Sequence, residues 1–417
     1  MINTKNWDWG IQNKVLADIA EIKSRYQDVH EFVVSPDGEK IAAPVVLEDD
    51  TFTACVNNDQ WPDTFEKLWY LRFSPGNKLT ALVMSDDEWT LAVDGRVYEE
   101  NYEYAWDVRF SENGESISML YKRDNLYGVA LNGKPWANGF VAIRDYCLSP
   151  DGKRTAATVQ VKTLDEADVF GFFAGAWSVA VDGKVWPEKF INAWKPAFSK
   201  DGSLVAAEIR TDICEYSVAV NGKSWEKKYG SVWDPVFRPG NGSVIAAVKE
   251  GSNWFLAENG SRIWGRNYNQ IWLPKLSPDG KRIAAVASPE FGKWTIAVDD
   301  RPWAKLFDDM VLAPVFSPDG KRVAAIVKEN NHWSIAVDGK TWPESYDMIW
   351  DPVFSPCGKN VVAKAEKNGR YAVVLNGKNI GTNYDALWPP IFSPDGDKIL
   401  LRYIADGKYY REVRPLN

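Results

Sequence analysis

WDPVFSPCGKN, Trp350 to Asn360, decides the fold because the chain repeats it. WDPVFRPGNGS begins at Trp233, WPPIFSPDGDK at Trp388, LAPVFSPDGKR at Leu312 and WKPAFSKDGSL at Trp194. In each copy an apolar-alternating segment runs into Ser-Pro-Asp-Gly or a variant of it. Proline presets φ at the second turn position and glycine accepts the left-handed one, so the motif joins two antiparallel strands. With the serine as anchor, copies stand at Ser35, Ser74, Ser111, Ser149, Ser199, Arg238, Ser277, Ser317, Ser355 and Ser393. The ten anchors are 39, 37, 38, 50, 39, 39, 40, 38 and 38 residues apart, so a single interval is abnormal.

The rest of each unit is equally regular. A small-residue strand such as RIAAV follows the turn, and a third strand such as WSIAVDG follows a polar gap. The third strand ends in Asp-Gly or Asn-Gly, a type I′ hairpin signal, as at Asp94-Gly95, Asn132-Gly133, Asp182-Gly183, Asn221-Gly222, Asp338-Gly339 and Asn376-Gly377. A short fourth strand then carries Trp61, Trp136, Trp186, Trp225, Trp264, Trp303 or Trp342. Four short strands per repeat of about 40 residues predict an all-β fold, a single large β-propeller of about ten four-stranded blades. Hairpins on both sides of each strand argue against a parallel solenoid. Two five-bladed rings would need a second closure signal, and the sequence shows none.

The termini complete the reading. Beyond Ser393 the chain has room for KILLRYI and KYYREVR but for no fourth strand, so the N-terminal region is expected to supply the outer strand of the last blade. Ile22 to His30 align with the fourth-strand segment of a repeat. Before them, Asn13 to Lys23 place Val15, Leu16, Ile19, Ala20 and Ile22 on one helical face. The expected organisation is an N-terminal helical segment over residues 1–21 and the propeller over residues 22–417.

Composition narrows the function. Lys and Arg number 49 against 57 Asp and Glu, a net charge of −8, and no basic run offers a footing for nucleic acid or anionic lipid. Cys55, Cys147, Cys214 and Cys357 are far apart, form no CxxC, and share the chain with two histidines, His30 and His332. Iron–sulfur, zinc and haem sites therefore lack their spacing, and no cofactor or metal is expected. The N-terminus has no signal-peptide pattern and no stretch reaches the ~18 apolar residues of a membrane helix, which predicts a cytoplasmic protein. Sequence signatures of catalysis (G-x-S-x-G, a P-loop, G-x-G-x-x-G) are missing, so no catalytic residue is assigned.

The FSPDGKRIAAV units resemble WD40-like repeats of the TolB type from about residue 22 to the end. The Gly-His pair of true WD40 repeats is missing, and the Trp-Asp pairs at Trp106, Trp233 and Trp350 precede the first strand instead of ending the third. The tryptophan-saturated unit VNGKxW…Y…IWxPxFSPDGKRIAA is similar to the tryptophan-rich WD40-like subunits, the TmcD family, of the Tmc transmembrane electron-transfer complexes of sulfate-reducing bacteria. That resemblance implies a cofactor-free cytoplasmic subunit at the inner face of the cytoplasmic membrane. The partners it implies are a cytochrome b membrane subunit, an iron–sulfur subunit of heterodisulfide-reductase type and a periplasmic cytochrome c.

Two sets of tryptophans and two irregularities are the candidate site residues. The fourth-strand set is expected to wedge between blades. The second set, Trp69, Trp106, Trp194, Trp233, Trp272, Trp350 and Trp388, stands five residues before the anchor, in the loop entering the innermost strand. It either packs or forms an aromatic rim for a partner or ligand. His30, Arg144 and Leu312 fill that position elsewhere. The long interval holds TLDEADVFGFFAG, whose apolar tip Val169, Phe170, Phe172 and Phe173 is flanked by Asp165, Glu166 and Asp168. The tip lies in the blade of Arg144 and on its face. An apolar insertion of this kind either folds back or meets a partner protein. The expected function is a non-catalytic interaction scaffold in a membrane-bound electron-transfer complex. The alternative is a ligand-binding or hydrolytic propeller that takes a glycan or peptide through an aromatic-rimmed channel.

Overall fold

The computed structural model describes residues 4–416. They form ten antiparallel sheets, nine with their strands hydrogen-bonded in chain order and one completed by an N-terminal strand, the blades of a ten-bladed β-propeller. The sheets fall into two compact units, four in residues 4–139, 151–153 and 382–416 and six in residues 140–150 and 154–381. The partition is four and six, not five and five.

One blade explains the others. In the Ser277 blade the strands are Gln270–Leu276, Ile283–Glu290, Lys293–Val298 and Arg301–Pro302. Ser277 Oγ donates to Asp279 Oδ1 at 2.6 Å and accepts from the Arg282 backbone N–H at 2.9 Å, while Asp279 also accepts from the Lys281 N–H. The recurring aspartate thus closes the turn. At the far hairpin Asp299 Oδ1 accepts the Ile283 N–H at 2.9 Å, and Asn221 does the same for Val205. An Asx residue there ties the third strand back to the start of the second. Gly339, with φ +80°, could not be replaced without strain, and a Cβ on it would also stand 3.2 Å from Trp303 Cγ of the preceding blade.

Packing between blades follows the fourth-strand tryptophans. Trp225 is buried among Val218 and Ala206 of its own blade and Val244, Ala246 and Val248 of the next. Trp186 spans Ala156 and Val179 to Val205 and Ala207 in the same way. Six of the second strands read Ala-Ala, covered on both faces where neighbouring sheets approach closely.

The N-terminal region supplies the closing strand and a short helix, as expected, but from other residues. Gln12–Asp18 is a strand, not helix, and pairs antiparallel with Lys408–Pro415 from Gln12↔Val413 to Asp18↔Lys408. It is the fourth strand of the Ser393 blade, so the closing strand lies upstream of Ile22–His30. Only Ile19–Arg25 is helical, begun by Asp18, whose side chain accepts the Glu21 N–H, and it buries Ile19 and Ile22. The physical reason is the edge: Lys408–Pro415 would otherwise expose a row of unpaired backbone groups, and that demand overrides a weak helical pattern. Asp28–Val29 and Val33–Val34 then form the inner strand of the first blade.

Candidate functional site

Each residue five places before an anchor lies inside or at a break of the inner strand, not in a loop leading to it. Trp194 is the third residue of Asn192–Phe198 and Trp233 the third of Ser231–Phe237. The pairing register slips immediately afterwards, between Trp194 and Ala197 and between Trp233 and Val236. The next residue is left-handed, at φ +45° for Lys195, +54° for Asp234 and +50° for Leu273. Proline follows at Pro196, Pro235 and Pro274, where a bulge needs no ladder donor. Trp-x-Pro accompanies the bulge in these three blades, whereas Trp69 and Trp106 show the same slip without proline and Trp350-Asp351-Pro352 sits at a break between two short strands.

At the bulge or the break each indole meets an aromatic residue early in the third strand. Trp233 lies 4.2 Å from Trp254, Trp272 4.6 Å from Trp294, Trp194 6.4 Å from Tyr216 and Trp350 5.9 Å from Tyr371, ring centre to ring centre. In the four-sheet unit the pairs are Trp69–Trp89, Trp106–Tyr127 and Trp388–Tyr409, with His30–Phe52 in the remaining blade. Leu312 and Trp333 pack on one common cluster. The tryptophans are thus packed on one side and half-exposed on the other, Trp69 most so. The third-strand aromatics went unremarked in the sequence, although in nine blades they stand five residues before the Asx of the hairpin, as Trp254 does before Asn259.

Arg144 takes the indole's place in its blade. Its guanidinium lies 3.9 Å from the centre of the Trp177 ring, and its Nη1 donates to Asn192 Oδ1 of the next blade at 2.7 Å. The insertion ends two residues before Trp177. Within it Val169–Ala174 form a short helix, with Asp168 Oδ1 accepting the Gly171 N–H at 2.7 Å and Lys162 Nζ 3.3 Å from the same carboxylate. These contacts hold the Asp168 carboxyl below its ordinary range, the Gly171 N–H first among them. Leu164 folds back onto the core, and Phe172 lies 6.0 Å from the guanidinium of Arg210 in the next blade. Val169, Phe170 and Phe173 point outward, with Phe170 90% exposed, while Asp165 and Glu166 border them in solvent. The next blade's hairpin adds a further exposed apolar residue, Ile213. Anchoring and display are thus divided among residues that the sequence grouped as one tip.

A charged cluster beside Trp194 escaped the sequence reading. Glu208, opposite Trp194 in the ladder, is only 7% exposed and accepts the Asp234 N–H at 2.6 Å. Lys195 Nζ lies 2.6 Å from Asp234 Oδ1 and 3.9 Å from Glu208 Oε1. Burial pushes the Glu208 carboxyl up to about 7, outweighing the Asp234 N–H and Lys195, which favour its charge. Burial also opposes the charge on Lys195, but Asp234, Glu208 and Asp145 together hold it above its usual value. The signal for Glu208 was positional. The corresponding residue is Leu82, Leu120, Ala247 or Val286 in the blades whose register matches.

Among the described residues no group of three or more His, Cys, Asp or Glu could hold a metal ion, and no helix is long and apolar enough to cross a membrane. Cys357 replaces the usual turn aspartate, its Sγ 3.4 Å from Ser355 Oγ. That contact and the Lys359 N–H lower its thiol from the ordinary value.

No family model matches the chain, and no curated protein matches it. Among solved structures it is similar to a eukaryotic initiation factor, with 15% identity, a TM-score of 0.49, and 82% of this chain and 99% of that one covered. It is also similar to the Dos1 propeller, at 13% identity and TM-score 0.38 over 98% of this chain and 95% of that one. A third similarity is to the β-propeller domain of Cps50 (Swd1) from Myceliophteria thermophila, at 9% identity and TM-score 0.33 over 66% and 96%. Likeness at these levels carries no functional argument, which rests on the residues alone.

Proposed function

We propose that this chain is a non-catalytic interaction subunit whose docking surface is the insertion of the Ser149 blade. The observation that carries the reading is the outward display of Val169, Phe170 and Phe173 on a helix anchored from behind by Leu164 and Phe172. Exposed phenylalanines on an anchored element cost solubility unless a partner covers them. The resemblance to the tryptophan-rich Tmc subunits supplies the finer reading: a cytoplasmic subunit held at the membrane by a cytochrome b subunit and an iron–sulfur subunit. Arg144 and its neighbours would frame the contact.

The test is purification of the tagged full chain from detergent-solubilised membranes of its source cell. Haem b absorbance and an iron–sulfur polypeptide should elute with the wild-type chain and be lost with the double variant Phe170→Ser/Phe173→Ser. Elution of the chain alone, together with turnover of a glycan or peptide, would replace this reading with a hydrolytic propeller working through the aromatic positions.

A further inference from the structure

Tyr104 breaks the repeat. The residue seven places before the anchor is aromatic in no other blade; elsewhere it is, for example, Lys67, Asn192 or Ser231. Tyr104 opens the inner strand of the Ser111 blade, and its ring lies 5.9 Å from Trp89 of the Ser74 blade and 5.6 Å from Trp106 of its own. It thereby joins two aromatic pairs, Trp69–Trp89 and Trp106–Tyr127, into one run of five rings across two blades of the four-sheet unit. The repeated pairs serve packing. Tyr104 is an added ring that stands out of the core, 43% exposed, and Trp69 at the end of the run is 44% exposed.

The run is notched, not flat. Trp89 and Tyr104 meet at 80°, Tyr104 and Trp106 lie within 26° of parallel, and Trp106 and Tyr127 meet at 86°. Rings set edge to face leave a V-shaped notch between them, so two notches flank one 5.6 Å ring step. A sugar chain stacks on coplanar ring faces, which two right-angle turns deny it. A polyproline II helix instead presents a ridge of pyrrolidine rings that repeats every three residues, about 9 Å, a spacing that suits notches so placed. Its shape is preformed, so docking on aromatic walls costs it little conformational entropy. The rim of the run is acidic. Asp86, Asp87 and Glu88 form an exposed hairpin tip just before Trp89, and Asp124 is exposed at the next hairpin, before Tyr127. The cations beside Asp124 are engaged elsewhere, Lys122 by Glu103 at 3.1 Å and Arg123 by Glu100 at 2.7 Å.

We propose that this five-ring run is a docking groove for a proline-rich segment flanked by basic residues, supplied by a partner protein. The proline rings enter the two notches, and the flanking cations meet the acidic hairpin tips. The site belongs to the four-sheet unit and does not rest on the insertion of the Ser149 blade.

Isothermal titration calorimetry of the full chain tests it, with a synthetic decaproline peptide carrying two arginines at each end. Tyr104→Ser should weaken binding about tenfold, the size of loss expected when an aromatic anchor is truncated. An arginine-capped glycine–serine peptide of equal length keeps the charge without the preformed helix, and should also bind about tenfold more weakly. The triple variant Asp86→Asn/Asp87→Asn/Glu88→Gln should weaken the arginine-capped peptide severalfold and leave uncapped decaproline unaffected. Asparagine suits the left-handed backbone of Asp86 and Asp87, at φ +52° and +62°. No binding of the proline peptide, undiminished binding by Tyr104→Ser, or equal binding of the glycine–serine peptide would each overturn the proposal. Binding of cellohexaose in place of the peptide, lost with Tyr104→Ser, would assign the run to a glycan and overturn it too. Should Tyr104→Ser fail to fold, the charge variant decides: unchanged affinity for the arginine-capped peptide would overturn the proposal.

Discussion

The guanidinium of Arg144 stacks on the indole of Trp177 at 3.9 Å, in the place where other blades set one aromatic ring against another. The contact is a cation–π substitute for an aromatic pair, strengthened by the hydrogen bond to Asn192. Arg144→Ala is expected to cost about 0.5–1 kcal/mol of unfolding free energy at this exposed site. Arg144→Trp, which restores the residue found in seven other blades, should recover most of it. Urea denaturation of the three proteins checks the order; equal midpoints for wild type and alanine variant would show that the stack contributes nothing.

Phe170 and Leu164 belong to one insertion and should behave oppositely. Phe170→Ser changes a side chain that is 90% exposed, so its effect on unfolding should stay within about 0.5 kcal/mol. Leu164→Ala removes methyl groups packed on the core cluster that contains Trp177 and Phe190 and should cost about 1–2 kcal/mol. Differential scanning calorimetry separates the two. A large loss for Phe170→Ser would mean that the phenylalanine is a packing residue, and the docking surface would lose its main support.

Repetition decided how much of this was legible in sequence. The Ser-Pro-Asp-Gly turn and the Asx-Gly hairpin carry their backbone geometry in local chemistry, so the ten copies of the turn and the repeated hairpin gave the blades and the wedge tryptophans. The N-terminal strand was hidden because Gln12–Asp18 is a strand only through its partner Lys408–Pro415, nearly 400 residues away. Trp-Asp-Pro at Trp233 looked like ordinary strand because alternation cannot report a left-handed residue in its middle. Glu208 was hidden for a third reason. Its burial and its bond to Asp234 arise between blades, and a glutamate at a position that is apolar in most blades, though Lys364 and Arg402 fill it in two others, shows as an exception only once the register is known.

Two tryptophan positions that look alike in sequence should differ in energetic weight. Trp225 is buried between two blades, so Trp225→Ala combines lost transfer energy with a cavity lined by rigid strands, at a cost of about 3–5 kcal/mol. Trp233 packs on one face against Trp254 and is partly open on the other, so Trp233→Ala should cost clearly less. Comparison of denaturation midpoints at constant slope tests this. Equal losses would place both indoles in the core and remove the aromatic-rim reading altogether.

The last blade grips the first through two buried cations, Arg411 foremost. Arg411 is wholly buried opposite Arg402, its Nε 2.8 Å from both the Asp37 carbonyl and Glu39 Oε1, and its Nη2 2.6 Å from the carbonyl of Asp8. Arg402 adds a bond to the Ser35 carbonyl at 3.0 Å and Tyr409 one to that of Gly38 at 2.8 Å, so the first Ser-Pro-Asp-Gly turn is held by its backbone. Truncating Arg411 leaves those carbonyls and Glu39 without their donor, and Arg411→Ala should cost about 3–5 kcal/mol. Arg411→Lys keeps the charge but cannot reach Asp8, Asp37 and Glu39 together, and should recover only part of the loss. Deleting residues 1–18 removes Asp8 and the strand that covers Lys408–Pro415, so it should expose a sheet edge and promote self-association as well as lower stability. Light scattering beside urea denaturation distinguishes these effects. The arginine variants should unfold early yet stay monodisperse, and the deletion should aggregate; a monodisperse deletion protein of wild-type stability would show that Gln12–Asp18 does not close the Ser393 blade.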